Sequence, residues 1–187
     1  MNRRHHVAAL FAMLALAVGA VTRDAAAQSL EKPKVTIAVG GKASIYYLPL
    51  TIAEAKGYFK DEGLTVEIVD FAGGSQSLRA VVGGSADVVS GAFEHTINLQ
   101  ASKQYFRAFV LQGRAPAIAV GVATAKAGAY RSPADLKGMK IGVSAPGSST
   151  NMVANYVLAK GGLKPSDVSF VGVGTASGAL AALRTGQ

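Results

Sequence analysis

Four turns in this 187-residue chain fall where a strand is due to give way to a helix, and each carries glycine or serine. They are Lys42-Ala43-Ser44-Ile45-Tyr46-Tyr47, Gly73-Gly74-Ser75-Gln76, Gly91-Ala92-Phe93-Glu94-His95 and Ala145-Pro146-Gly147-Ser148-Ser149-Thr150. A helix start presents backbone N–H groups without intrahelical acceptors, and a partial positive charge. Glycine lets that backbone come close to a ligand, and Ser and Thr hydroxyls add donors. The combination suits an anionic oxygen group such as carboxylate, sulfonate or phosphate. It also suits plain helix capping, for which Ser75 and Ser148 serve with no ligand at all.

Aromatic and ionisable residues flank these turns. Tyr46 and Tyr47 are adjacent and cannot both enter a core easily, so one is expected to pack while the other lines a cleft with ring face and hydroxyl. Glu94 and His95 look like an acid–base pair, but neighbours on a helix point about 100° apart. Glu94 at a helix start is favourable through the dipole alone. His95 is the one histidine beyond the N-terminal segment, and a lone histidine is more often a packed or surface group. Neither a histidine triad nor a multi-histidine zinc site can be assembled, and the phosphate-binding motifs G-x-x-x-x-G-K-[ST] and G-x-G-x-x-G do not occur. The chain has no cysteine, which excludes disulfides, thiol catalysis and Cys-ligated metal. Catalytic residues, metal and cofactors are therefore not expected.

The elements that position these turns alternate. Residues 34–39 read as a strand bounded by Pro33 and Gly40-Gly41, and residues 48–56 as a helix from the spacing of Leu48, Ile52, Ala55 and Phe59. Gly57 caps that helix. Residues 64–71 form a second strand, and Ser75 caps a helix that turns Leu78, Val81 and Val82 inward. Residues 87–90 are a short apolar strand of the kind buried on both faces of a parallel sheet. A helix over 94–102 and strands at 107–112 and 117–123 follow. Residues 124–130 are the candidate crossing between lobes. Ser132-Pro133-Ala134-Asp135 starts a short helix, with strands at 140–144 and 168–173 and helices after residue 150 and over 177–184. Such alternation argues for an α/β fold with parallel sheets. Leu78-Arg79-Ala80-Val81-Val82-Gly83-Gly84-Ser85 is echoed by Leu180-Ala181-Ala182-Leu183-Arg184-Thr185-Gly186-Gln187. A core strand follows the first octet and the chain ends after the second, so the pattern reads as a fragment or a truncated product.

The N-terminus sets the compartment. Arg3, Arg4, His5 and His6 precede an apolar run over 7–21, and Ala25-Ala26-Ala27 offers small residues for cleavage. This is the layout of an export signal, shorter than the roughly 20 residues that a membrane span needs. Cleavage is placed after Ala27. The formal charge is +8, with basic residues scattered rather than striped, which favours steering of anionic solutes over nucleic-acid binding.

Further segments complete a pattern: Tyr47-Leu48-Pro49-Leu50-Thr51-Ile52-Ala53-Glu54-Ala55-Lys56-Gly57-Tyr58-Phe59, Glu62-Gly63-Leu64-Thr65-Val66-Glu67, Gly73-Gly74-Ser75, Gly84-Ser85-Ala86-Asp87-Val88, Ser132-Pro133-Ala134-Asp135-Leu136-Lys137-Gly138-Met139-Lys140-Ile141-Gly142-Val143 and Gly147-Ser148-Ser149-Thr150. In this order and spacing the chain resembles the nitrate/taurine/alkanesulfonate group of ABC-transporter substrate-binding proteins. The resemblance implies a two-lobed periplasmic binding protein fold of type II, with parallel or mixed sheets flanked by helices and the second lobe incomplete. Residues 28–123 would form lobe one and 124–187 part of lobe two. It implies a monomeric periplasmic carrier that clamps a small solute and delivers it to an ABC permease and ATPase complex in the inner membrane. By position, Ser44, Tyr46, Ser75, Gln76, Phe93 and Glu94 would contact solute from lobe one, with Tyr47 beside them, and Ser148, Ser149 and Thr150 from lobe two. Two alternatives share the architecture: an enzyme of the thiamine-pyrimidine-precursor type, which calls for cysteines and a reactive histidine in the cleft, and a sensor domain.

Overall fold

The central strand of the larger sheet is β1, Lys34–Val39, whose last three residues, Ile37, Ala38 and Val39, are buried. The computed structural model describes residues 29–115 and 117–187, so the proposed export signal lies outside the described residues. β1 pairs in parallel with β2, Thr65–Asp70, along its full length, and with the short β3, Val88–Val89, through Ile37 and Ala38. The order is β2-β1-β3. Alternation along β1 splits the core. Ile37 and Val39 pack with Tyr47 and Leu50, backed by Phe59, Val66 and Ile68. Ala38 faces Ala80 and Ala86. Small residues on that side let a helix sit close.

The connections between the strands are helical. After β1, a single 3₁₀ turn at Ile45–Tyr47 leads into α1, Leu48–Lys56, which carries Pro49 in its first turn and ends at Gly57 with φ 79°. The one-turn α2, Tyr58–Asp61, precedes β2. α3, Gly74–Val82, joins β2 to β3, and α4, Glu94–Ala101, follows β3. A one-turn α5, Thr124–Ala127, occupies the segment expected to cross between lobes. The 3₁₀ turn Pro133–Leu136 is held by Asp135, which accepts the Arg131 and Ser132 N–H groups at 2.8 and 2.7 Å. β4, Lys140–Val143, pairs in parallel with β5, Ser169–Gly172. α6, Ser149–Lys160, lies between them in sequence, and α7, Ser177–Thr185, follows β5. Pro33–Gln187 form one unit containing both sheets.

Three sequence expectations fail, the first at Val82, which is exposed at the last turn of α3 rather than turned inward. Residues 107–112 and 117–123 are not strands. Their apolar content suits strands, but a ladder needs a partner, and no described residue pairs with them. Residues 106–113 instead run along a cavity of about 930 Å³ on the Ile37 face of the sheet, leaving Phe109, Val110 and Leu111 exposed. Ser75 also is not the cap of α3. The cap is Gly73, in extended conformation, and Ser75 lies inside the first turn. The turn starts at the glycines because Gly40, at the end of β1, lies against it. A Cβ on Gly40 would stand 2.4 Å from the Gly73 carbonyl carbon and the Gly74 nitrogen.

Candidate functional site

The starts of α3 and α6, one from each sheet, meet. Ser75 Oγ donates to the Pro146 carbonyl at 2.9 Å, joining the first turn of α3 to the turn before α6. A Cβ on Gly73 would stand 2.9 Å from the Ala145 Cβ, so glycine lets the two backbones approach. Both helices thus direct their unpaired N–H groups and positive dipole ends toward one junction.

The four turns differ in what already occupies them. In the first, Asp70 at the end of β2 accepts the Gly41 and Lys42 N–H groups at 2.7 and 2.8 Å. The protein's own carboxylate fills the place read as open to an anion. Ser44 precedes the 3₁₀ turn and is half-buried. Tyr47 is buried in the core, its hydroxyl oxygen accepting the Gly40 N–H at 3.1 Å. Burial raises the Tyr47 hydroxyl pKa, opposed by that hydrogen bond. Tyr46 stacks edge-on against Tyr47 with centroids 5.0 Å apart, and lines the 930 Å³ cavity. Burial, then the charge of Glu94, raises the Tyr46 pKa, so its hydroxyl keeps its proton at neutral pH.

The second turn brings Ser75 to the junction, with Gln76 half-buried beside it. In the fourth, Ser148 stands at the cap position of α6 but is 1% exposed, and its hydroxyl turns back to donate to the Ala145 carbonyl at 2.6 Å. Ser144, Ser148 and Thr150 hydroxyls form a triangle with sides of 2.8 to 2.9 Å. Thr150 Oγ1 also accepts the Ser144 N–H at 3.0 Å. These hydroxyls brace the turn, which leaves backbone N–H groups as the donors most available to a solute. Ser149 is the first helical residue and is half-buried.

The third turn opens α4. Phe93 is exposed and lines the cavity, and Glu94 occupies the first turn. Glu94 Oε1 is buried without a hydrogen-bond partner. His95, read as a packed or surface group, is 4% exposed, and its Nε2 has no partner either. Burial lowers the His95 pKa, opposed by the Glu94 charge. Sequence reasoning also passed over Asn151, whose Oδ1 accepts the Gly147 N–H at 2.9 Å while its Nδ2 is buried and unpartnered. Among the described residues no group of His, Asp or Glu side chains is arranged to hold a metal.

The NMT1/THI5-like family model matches residues 44–187, which include three of the four turns whole and the first from Ser44 on. The chain belongs to the NMT1/THI5-like family. A solved structure from Bordetella bronchiseptica RB50 is 72% identical, with TM-score 0.83 over 86% of this chain and 50% of that one. The alkanesulfonate-binding protein SsuA from Xanthomonas axonopodis pv. citri, solved with MOPS bound, is 23% identical, with TM-score 0.53 over 85% of this chain and 53% of its own. Among curated relatives, a 4-amino-5-hydroxymethyl-2-methylpyrimidine phosphate synthase from Schizosaccharomyces pombe is 27% identical over 141 residues, 75% of this chain and 40% of that protein. This NMT1/THI5-like chain therefore has the α/β fold of SsuA-like substrate-binding proteins, and spans about half the length of those two solved structures.

Proposed function

We propose that this NMT1/THI5-like chain is the periplasmic solute-binding component of an ABC importer, carrying a small oxyanion-bearing solute between its two sheets to an inner-membrane permease. In this reading residues 28–123 and 124–187 belong to two lobes, and the solute is held where they meet. The observation that carries it is the junction of α3 and α6, bridged by Ser75 and Pro146. Two helix starts from separate sheets focus partial positive charge on one place, which an anionic head group satisfies. Tyr46 and Phe93 supply aromatic surface for the rest of the solute, and Glu94 suits a solute that also carries an N–H donor.

The test is a thermal-shift and calorimetric panel on the full chain: ethanesulfonate, taurine, nitrate, acetate and a 4-aminopyrimidine. An oxyanion that raises Tm and binds at one site is the expected result. No binding by any oxyanion in the panel contradicts the reading.

The synthase among the relatives favours a second reading, an enzyme on the same fold. Of the residues that reading called for, a buried histidine is present at the junction and cysteine is absent from the chain. Mass spectrometry of protein and solute after incubation separates the two: a carrier leaves both masses unchanged.

A further inference from the structure

Residues 124–187 carry seven basic and two acidic side chains, against nine and eight in residues 28–123, so the positive charge beyond the export signal belongs almost wholly to the second half. The fold gathers most of it at one end. Lys140 opens β4, opposite Ser169 at the start of β5. The Gly138 N–H donates to the Asp167 carbonyl at 2.7 Å, which brings Lys137 beside the 3₁₀ turn Pro165–Asp167 that follows Lys164. Lys160 ends α6, and Gly161 after it packs on the turn that follows Arg131: a Cβ on Gly161 would stand 2.6 Å from the Ala134 nitrogen. Arg131, Lys137, Lys140, Lys160 and Lys164, scattered in sequence, thus share the pole where β4 and β5 begin. All five are exposed, and none has a carboxylate oxygen within 4.0 Å among the described residues. The two acids at this pole face the backbone, Asp135 accepting the Arg131 and Ser132 N–H groups and Asp167 the Lys164 N–H at 2.7 Å. Repulsion among unpaired like charges works against the compact state, and an anionic surface relieves it.

We propose that this pole is a membrane-surface contact, fitted to the anionic head groups of phospholipids. The inference goes beyond the carrier reading and does not depend on it. Four of the five cations are lysines, compact charges on flexible stems, which suit a diffuse layer of phosphates; a fixed carboxylate on a protein partner favours the planar fork of arginine. Exposed Tyr156 stands one turn before Lys160, whose Nζ lies 5.3 Å from its ring centroid, and a tyrosine ring suits the head-group layer. α6, about 18 Å long at 1.5 Å per residue, separates the pole from the junction with α3. A membrane held at the pole therefore leaves the gap between the sheets open.

The experiment measures partition of the full chain onto vesicles of phosphatidylglycerol with phosphatidylcholine, and onto phosphatidylcholine alone. The parent is expected to prefer the anionic vesicles, and to lose that preference as salt rises from about 0.1 to about 1 M. Each lysine near an anionic surface is worth about fivefold in affinity, so Lys137→Gln, Lys140→Gln and Lys164→Gln together are expected to lower the partition coefficient roughly a hundredfold. Lys34→Gln, Lys56→Gln and Lys60→Gln together make the same change of charge away from the pole, and are expected to lower it less than about threefold. The export signal is common to these chains and cancels in the comparison. Equal losses in the two triple variants, or equal binding of the parent to both kinds of vesicle, overturn the proposal. Binding to polyglutamate that needs the pole lysines, without preference for anionic vesicles, assigns the pole to an acidic protein and also overturns it. If the pole variant has a lowered Tm, the otherwise unchanged chain decides, through a fluorophore at Ser166→Cys beside Lys164. Anionic vesicles are expected to shield that label from acrylamide, and a label that stays fully quenched overturns the proposal.

Discussion

Ser75 and Pro146, 71 residues apart in sequence, are joined by a 2.9 Å hydrogen bond that ties the first turn of α3 to the turn before α6. This bond commits the Ser75 hydroxyl proton to the junction, while Gly73 holds the cap position that the sequence suggested for Ser75. Its removal in Ser75→Ala leaves a carbonyl short of a donor and loosens the junction. A loss of about 1 kcal/mol is expected, read from urea unfolding. An unchanged unfolding free energy would mean that the bridge contributes nothing in solution.

The two tyrosines separate by environment. Tyr47→Phe leaves the buried Gly40 N–H without its acceptor and is expected to cost about 1–3 kcal/mol. Tyr46→Phe removes a hydroxyl from a residue that lines the cavity, and is expected to cost less than Tyr47→Phe. Equal losses in the two variants would contradict the assignment of Tyr47 to the core.

Much of this architecture was legible locally. β1 matches its expected span residue for residue because Pro33 and the Gly40-Gly41 pair bracket a β-branched run, and α1 does because Pro49 and Gly57 mark its ends. The failures are non-local. Residues 107–112 carry strand-like side chains, but pairing depends on a neighbour that a local pattern does not reveal. Ser75 looks like a cap until the Gly40 backbone, more than thirty residues earlier, fixes the turn at Gly73. His95 Nε2 lies against Gly74, which is not near it in sequence. The anion-ready turn after β1 is filled by Asp70, a residue whose place follows only from the β1–β2 register.

Gly73 is one position where the two halves pack closely. Gly73→Ala puts a methyl carbon 2.9 Å from the Ala145 Cβ and 3.0 Å from the Ser144 carbonyl carbon, so the second half must shift. Overpacking of this kind costs about 1–3 kcal/mol. The expected readout is a lower urea midpoint with an unchanged m-value. No shift in midpoint would mean that the halves do not touch there.

Stability should also depend on pH through His95. Its folded pKa lies below the ordinary value of 6.5, because burial disfavours the charged form more than Glu94 favours it. From about pH 6.5 downward the unfolded chain then binds more protons than the folded one. Stability is therefore full above 6.5 and falls as pH drops below it, levelling once the folded-state imidazole also titrates. His95→Leu is expected to flatten that part of the profile, measured as unfolding free energy against pH. A parent and variant with the same slope just below 6.5 would place the imidazole in solvent.

Carriage between two sheets requires that a bound solute draw them together, because a ligand touching one side alone cannot shift the equilibrium between open and closed forms. The chain has no cysteine, so spin labels can be attached at Arg79→Cys on α3 and Tyr156→Cys on α6 without a competing thiol. Pulsed electron-spin distances should shorten or narrow when the oxyanion that most raises Tm is added at saturation. The same distance distribution with and without that bound solute would contradict the account.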